Sequence, residues 1–282
     1  MPKVALVTDS TATIPQDLVN RYHISVAPQV LIWGNETYLD GIDIQPTEFY
    51  NRLKTAKVMP TTSQASPKAF KDIYDRLLEE GYDILAVVIS AQLSGTMVSA
   101  IQAKEMLPGA QIEIVDSRTA AMAMGFQVLA AAQAAEQGAS LAECKAIAEK
   151  ARELTGVVFA VDTLEFLHRG GRIGGATRLL GTALNIKPIL EISNGHVETV
   201  DKVRTRNKSL MRVVELVEER VAGRKPVRLA TLHANAQEDA QMILDEANRR
   251  LNAVESIFAE VSPVVANHAG PGTVGLIYMA GM

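Results

Sequence analysis

The sequence contains one cysteine and few aromatic residues. Cys144 has no second thiol within the 282 residues, which excludes an internal disulfide. Its place in a helical stretch is typical of a packing residue rather than a nucleophile. Because aromatic residues make up only 5% of the chain, any apolar pocket must be lined mainly by Leu, Ile, Val, Ala and Met.

Long apolar runs and an excess of positive charge are also lacking. No segment reaches the roughly 20 apolar residues that span a bilayer. The N-terminal apolar run is too short for a signal peptide and ends at Asp9. The formal net charge of −4 at pH 7 argues against nucleic acid as the main partner. These features predict a cytoplasmic protein.

The most informative stretch extends from Ile84 to Thr96. Its first half, Ile84–Ile89, is a continuous apolar run typical of a strand buried on both faces of a parallel sheet. A helical pattern follows from about Gly95 to Leu107, with Ser94 predicted as its N-cap. The free backbone N–H groups and dipole of such a helix start favour an anion, although plain capping explains Ser94 equally well.

The alternation of strands and helices predicts an α/β protein of two domains. Residues 1–155 read as a doubly wound, mostly parallel sheet of the Rossmann-like type. Residues 156–282 contain an Asn194-Gly195 hairpin signal beside isolated strands. We therefore expect an α/β domain with a mixed or antiparallel sheet in the second half.

Hydroxyl groups are concentrated in three loops that follow or precede predicted strands. These residues are Thr8, Ser10, Thr11 and Thr13, then Thr61, Thr62 and Ser63, and finally Ser90, Ser94 and Thr96. In a doubly wound sheet the loops would meet at the carboxyl edge of the strands. Hydroxyls and helix N-termini suit a carboxylate or phosphate, whereas turn and cap chemistry is the alternative explanation.

Several enzymatic and cofactor motifs are missing. The residues around Ser94 do not form the Gly-x-Ser-x-Gly elbow, but a serine-dependent acyl hydrolase or transferase using Ser94 remains the alternative function. The glycine-rich segment Gly170–Gly175 fits neither the dinucleotide nor the Walker pattern. Neither paired cysteines nor His-Glu-x-x-His is present, so no metal and no cofactor is expected.

Basic residues are concentrated in two segments of the second half. They are Arg169, Arg172 and Arg178 in the glycine-rich region, and Lys202, Arg204, Arg206 and Lys208 further along. Such a run usually forms a solvated face. The alternative is a surface that docks onto an acidic protein or anionic lipid head groups.

Seven short motifs, in order along the chain, together resemble the DegV family. They are Thr8–Thr11, Pro60–Gln64, Leu93–Thr96, Asp162–Leu164 with Leu167–Ile173, Asn185–Leu190, Lys202–Thr205 and His268–Gly272. The resemblance covers the chain from Thr8 to Met279. Two departures are small: Ala65 follows Gln64 where the family often has Pro, and His168 precedes Arg169.

The resemblance implies a fatty-acid-binding protein rather than a stand-alone enzyme. Its ligand would be a long-chain fatty acid, bound near the domain interface with its tail buried. Some family members present this acid to a separate fatty acid kinase, which forms an acyl phosphate. The expected partners are therefore the fatty acid, a kinase subunit and, transiently, a membrane surface, and we expect a monomer that binds no nucleic acid.

Site residues are carried over by motif. Thr62 and Ser94 would bind the fatty-acid carboxylate, with Gly95 and Thr96 at the helix start beside Ser94. His268 would support that network, and Arg169 would belong to the same polar cluster. The residues expected to dock the kinase are Arg172, Lys202, Arg204 and Arg206.

Overall fold

The first half of the chain contains seven strands. They are β1 (Val4–Asp9), β2 (Ser25–Ala27), β3 (Val30–Trp33), β4 (Glu36–Leu39), β5 (Thr61–Ser63), β6 (Asp83–Val88) and β7 (Ile112–Asp116). A computed structural model of the protein describes residues 3–179 and 186–282. Four strands form a parallel sheet in the order β2-β1-β6-β7. The predicted doubly wound sheet is confirmed, and its order reverses around β1, where ligands of such sheets bind.

Six α-helices belong to this half. They are α1 (Gln16–Arg21), α2 (Pro46–Leu53), α3 (Pro67–Glu79), α4 (Thr96–Glu105), α5 (Met122–Glu136) and α6 (Leu141–Leu154). The capping box of Ser140 and Glu143 starts α6. The N-cap of α4 is Gly95, so the prediction of Ser94 as the cap is wrong by one residue.

Two further segments of this half have a structure that the sequence patterns above do not predict. The run Ile24–Trp33 is divided at Pro28 between β2 of the parallel sheet and β3 of a separate antiparallel sheet, ordered β4-β3-β5. The predicted loop that carries Thr61, Thr62 and Ser63 contains β5, which pairs with β3. No apolar run marks β5 in the sequence. Its strand conformation depends on backbone hydrogen bonds to β3, which is distant in sequence.

The second half contains a six-stranded mixed sheet. Its strands are β8 (Thr155–Ala160), β9 (Lys187–Ser193), β10 (His196–Val203), β11 (Val227–His233), β12 (Glu255–Ile257) and β13 (Val274–Ala280). The order is β10-β9-β8-β13-β11-β12, with β11 and β12 parallel and the other pairs antiparallel. Asn194 and Gly195 both have positive φ in the turn between β9 and β10, which confirms the predicted hairpin.

Four α-helices in the described part of the second half accompany this sheet. They are α7 (Glu165–Arg169), α8 (Arg206–Val221), α9 (Gln237–Leu251) and α10 (Pro263–Ala269). Helices α8 and α9 pack on one face of the sheet and contact β13. No helix within residues 3–179 and 186–282 is long and apolar enough to cross a membrane.

Helix α5 packs between the two sheets. It is buried on all sides over its first eleven residues, Met122–Ala132, and contacts β1 and β6 of one sheet and β8, β11 and β13 of the other. An apolar surface all round is typical of a helix with a core on every side. One hydrophobic cluster therefore extends through both halves. The domain boundary at residue 155 stays a prediction.

Candidate functional site

A cavity lies between the two halves of the chain. Its apolar wall is formed by Ile89, Leu93, Ala120 and Ala121 from the first half and by Phe159, Leu167, Ile192, Val197, Leu232, Val264, Val265 and Ala269 from the second. Ligand pockets typically have mostly apolar walls with a few polar groups. The wall of this cavity suits an aliphatic ligand.

Polar side chains from several segments line the same cavity, among them Thr11 and Gln29. Thr62 comes from β5, Ser94 from the turn before α4, Arg172 from the loop after α7, and His268 from α10. The structure thus brings together three residues that the motifs predicted to act jointly, Thr62, Ser94 and His268. The strand β5, which sequence reasoning missed, is what carries Thr62 to this position.

Thr62 and His268 form a direct hydrogen bond across the two halves. Thr62 Oγ1 and His268 Nε2 lie 2.7 Å apart. Burial, and secondly the positive charge of Arg172, lowers the pKa of His268 to about 4, so its imidazole is neutral at pH 7. His268 Nδ1 is buried with no hydrogen-bond partner among the described residues.

Gly170 makes room for the His268 ring. A Cβ at position 170 would collide with Nδ1 of His268. The close approach of the chain after α7 to this ring therefore requires glycine here. The glycine-rich segment is in this respect a packing surface for His268.

Ser94 belongs to a second hydrogen-bonded group. Ser94 Oγ lies 2.8 Å from Thr96 Oγ1, and Thr96 in turn accepts a hydrogen bond of 2.8 Å from Gln29 Nε2. Gln29 and Thr96 are buried, and Gln29 and Ser94 line the cavity. Thr96 and Gly95 lie behind Ser94 and are not among the lining residues.

The basic residues occupy different positions from those expected. Arg172 lines the cavity and donates to the backbone carbonyls of Leu93 (2.9 Å) and Gly170 (2.6 Å). Arg169 is exposed and paired with Glu165, and the structure does not bring it to the cavity. Arg172, and not Arg169, is therefore the arginine that lines the cavity, and a role of Arg169 toward the ligand stays a prediction.

The basic residues that were predicted to dock a partner differ in how exposed they are. Lys202 and Arg204 are exposed, and neither forms an ion pair among the described residues. Arg206, by contrast, is partly buried and pairs with Asp162 and Asp239. Those two carboxylates hold its guanidinium against the second half, so Arg206 is not a free docking cation.

Three buried polar residues, two beside the cavity and one in its lining, were not predicted to take part in the site. Asp9 accepts from the backbone N–H of Ile89 and from Thr11, a cavity residue, and its burial raises the pKa of its carboxyl group. Asp40 accepts from Ser10 at 2.6 Å and from the backbone N–H of Val264 at 3.1 Å, so it joins the first half to α10. Gln29 is the third. Asp9 and Ser10 lie within the Thr8–Thr11 motif, which was the only signal in the sequence for this network.

The contacts of Ser94 do not form a catalytic triad. Its side-chain partner is Thr96, and the neighbouring imidazole, His268, is bonded to Thr62 instead. A serine nucleophile needs a general base within hydrogen-bond reach. Within residues 3–179 and 186–282, no such base contacts Ser94, which weakens the alternative of an acyl hydrolase.

The lowered pKa of His268 predicts a specific pH dependence of stability. The unfolded chain takes up a proton near pH 6.5, whereas folded His268 does so near pH 4. The unfolding free energy should therefore fall as the pH is lowered between these values, by up to about 3 kcal/mol from this group. His268→Gln removes this contribution, so its unfolding free energy relative to wild type should rise toward pH 4.

Denaturant titrations of both proteins between pH 7 and pH 4 measure this difference. Buried His233 and the raised carboxyl pKa values of Asp9 and Asp40 are common to the two proteins and cancel in the comparison. Parallel pH profiles for wild type and His268→Gln would contradict a neutral, desolvated His268.

Comparison with known proteins gives one consistent family. The profile described as "Uncharacterised protein, DegV family" matches residues 3–281. A DegV domain-containing protein of Streptomyces coelicolor is 37% identical over 276 residues, which are 97% of each chain.

Two solved structures are similar over the whole chain. One is a DegV family protein from Thermus thermophilus, described as binding fatty acid. It is 37% identical, with a TM-score of 0.94 over 99% of both chains. The other, DegV of Bacillus subtilis, is 32% identical with a TM-score of 0.90 over 99% of this chain and 100% of that one. It is described as a fatty acid binding protein.

Proposed function

The chain belongs to the DegV family, and on this premise we propose that it binds a long-chain fatty acid in the cavity between its two halves. The observation that carries the proposal is the cavity itself, which joins a mostly aliphatic wall to a cluster of neutral hydroxyl groups. The carboxylate would be bound by Thr62 and Ser94, and the acyl tail would lie along the apolar wall. The fatty acids bound by the similar solved structures support the same ligand class.

The imidazole of His268 orients the hydroxyl of Thr62. When neutral His268 carries its proton on Nε2, it donates to Thr62 Oγ1, and the Thr62 O–H is left free to donate to the carboxylate. A carboxylate only accepts hydrogen bonds, so it selects this arrangement. Nδ1 then remains a buried acceptor without a partner. The free-energy cost of this neutral acceptor is smaller than that of a buried, unpaired imidazolium charge.

Arg172 contributes positive charge without forming a bidentate ion pair with the carboxylate. Its Nε and Nη1 donate to the carbonyls of Leu93 and Gly170, so these two nitrogens are not free to bind the ligand together. Its positive charge nevertheless favours an anion at the polar end of the cavity. A carboxylate bound mainly by neutral hydroxyls stays reactive toward a phosphoryl donor.

The apolar wall would supply most of the affinity. Each buried methylene contributes about 0.8 kcal/mol, so a palmitoyl-length tail gains roughly 12 kcal/mol before the costs of ordering. The hydroxyl groups then decide which end of the ligand faces β5 and α4. This division of roles suits a carrier, which must hold the tail firmly and keep the head accessible to chemistry.

The carrier role extends to a partner enzyme. We propose that the protein presents its fatty acid to a fatty acid kinase and exchanges it at a membrane surface, acting as a monomer in the cytoplasm. Exposed Lys202 and Arg204 provide positive charge for docking onto an acidic partner. Arg206 is left out of this surface because Asp162 and Asp239 neutralise it.

Mass spectrometry of an organic extract from natively purified protein tests the ligand. We expect a long-chain fatty acid in about one-to-one ratio with the protein, and rebinding of that acid by delipidated protein. An extract without fatty acid, together with turnover of activated esters that Ser94→Ala abolishes, would replace the carrier by the hydrolase.

A further inference from the structure

We infer that Gln29 is a positioning residue that makes Ser94 a hydrogen-bond donor toward the ligand. Gln29 lies in the segment between β2 and β3 and lines the cavity, and its amide acts on Ser94 through Thr96. The inference rests on the proposed binding of a fatty-acid carboxylate and adds the group that sets the direction of its hydrogen bonds. No motif in the sequence marks Gln29.

The orientation of the Gln29 amide is set by its surroundings. Its Oε1 accepts a hydrogen bond of 3.0 Å from the backbone N–H of Ala65. A backbone N–H can only donate, so Oε1 must face Ala65 and the NH₂ group faces Thr96. With 2% of its surface exposed, Gln29 has no competing solvent.

The amide then determines where the Thr96 proton points. Gln29 Nε2 donates to Thr96 Oγ1 at 2.8 Å. The Thr96 hydroxyl has two acceptors in reach, Ser94 Oγ at 2.8 Å and Gln29 Oε1 at 3.3 Å. Because Oε1 is the more distant and already accepts from Ala65, the Thr96 proton goes to Ser94.

Ser94 is thereby left with one free polar function. Its oxygen accepts from the Thr96 hydroxyl and also from the Thr96 backbone N–H at 3.3 Å. A hydroxyl has two acceptor lone pairs and one proton, so only the proton remains for the cavity. The chain Gln29 to Thr96 to Ser94 therefore matches a ligand that accepts hydrogen bonds and cannot donate them.

A fatty alcohol separates this direction-setting role from general packing. The hydroxyl of dodecanol can donate or accept, whereas dodecanoate only accepts. In Gln29→Met the Thr96 proton is no longer directed, so Ser94 can donate to Thr96 and offer a lone pair to the cavity. We expect the dodecanoate affinity to fall about tenfold and the dodecanol affinity to stay within about threefold, which shifts their ratio by several-fold or more.

Variants at Thr96 test the same chain without changing Gln29. Thr96→Val removes the relaying hydroxyl and should shift the ratio in the same direction, whereas Thr96→Ser keeps the hydroxyl and should restore it. Gln127→Met is a matched control, because Gln127 is also fully buried and donates to Ser117 and Thr155, away from the lining residues. It should leave the ratio unchanged.

Titration of delipidated proteins with dodecanoate and with dodecanol gives the result. Suppose that wild type binds the acid, but that Gln29→Met and Thr96→Val both keep the wild-type acid-to-alcohol ratio. This result would overturn the inference about Gln29 and leave the proposed function intact. Equal losses for both ligands would also overturn it, because they indicate packing. Wild-type protein that binds neither ligand would overturn the proposed function itself.

Discussion

The double variant Thr62→Val, Ser94→Ala is expected to bind hexadecanoate more than about 100-fold more weakly than wild type. Both side chains line the cavity at its polar end, and both substitutions keep nearly the original volume. A hydrogen bond to a charged group contributes about 1.5–3 kcal/mol, so the loss of two amounts to about 3–6 kcal/mol. Displacement of a fluorescent fatty-acid probe from delipidated protein measures the change.

Thr61→Val is the matched control for this variant. Thr61 precedes Thr62 in β5 but is exposed and does not line the cavity. Its affinity for hexadecanoate should equal that of wild type. A double variant that binds less than about tenfold more weakly, with unchanged thermal stability, would show that the carboxylate lies elsewhere.

Chain length is expected to change affinity by an even larger factor. Decanoate and hexadecanoate differ by six methylene groups, and at about 0.8 kcal/mol each the longer acid should bind more than about 1,000-fold more tightly. The aliphatic wall between the two sheets is the physical reason, because it removes each added methylene from water. Competition titrations with saturated acids of increasing length measure the slope.

The two predictions can be checked against each other. Head and tail contact different parts of the cavity, so the double variant should weaken every acid by the same factor and leave the slope with chain length unchanged. An affinity that does not depend on chain length would place the tail outside the cavity. A slope that changes in the double variant would mean that the head and tail sites are coupled.

Much of the fold follows from local sequence patterns. The buried run before Ser94, the alternating helices and the Asn194-Gly195 turn each specify their element through short-range effects, namely burial on both faces, capping and positive φ. The mixed sheet of the second half was predicted from the hairpin in the same way. These elements were confirmed because each signal lies within one element or one turn.

The candidate site was only partly accessible to the same reasoning. The motifs identified Thr62, Ser94 and His268, and the structure places all three at one cavity. Their roles toward the carboxylate stay predictions. Arg169 and Arg172 differ by three positions on the same segment, and no local pattern distinguishes the one that turns inward from the one that pairs with Glu165.

By itself, the sequence determined the α/β class, most element positions and the family, because these depend on periodicity, turn chemistry and ordered motifs. The tertiary structure alone decided that β5 pairs with β3, that α5 packs between both sheets, and that Gln29 reaches Thr96 across 67 positions of chain. Contacts between distant segments leave no local pattern, since the partner that satisfies a buried polar group is specified only when the chain is folded. The stretch Ser94–Thr96 illustrates both contributions. The sequence indicated that a helix starts here, whereas Gln29 sets the direction of the hydrogen bonds between the Thr96 and Ser94 hydroxyls.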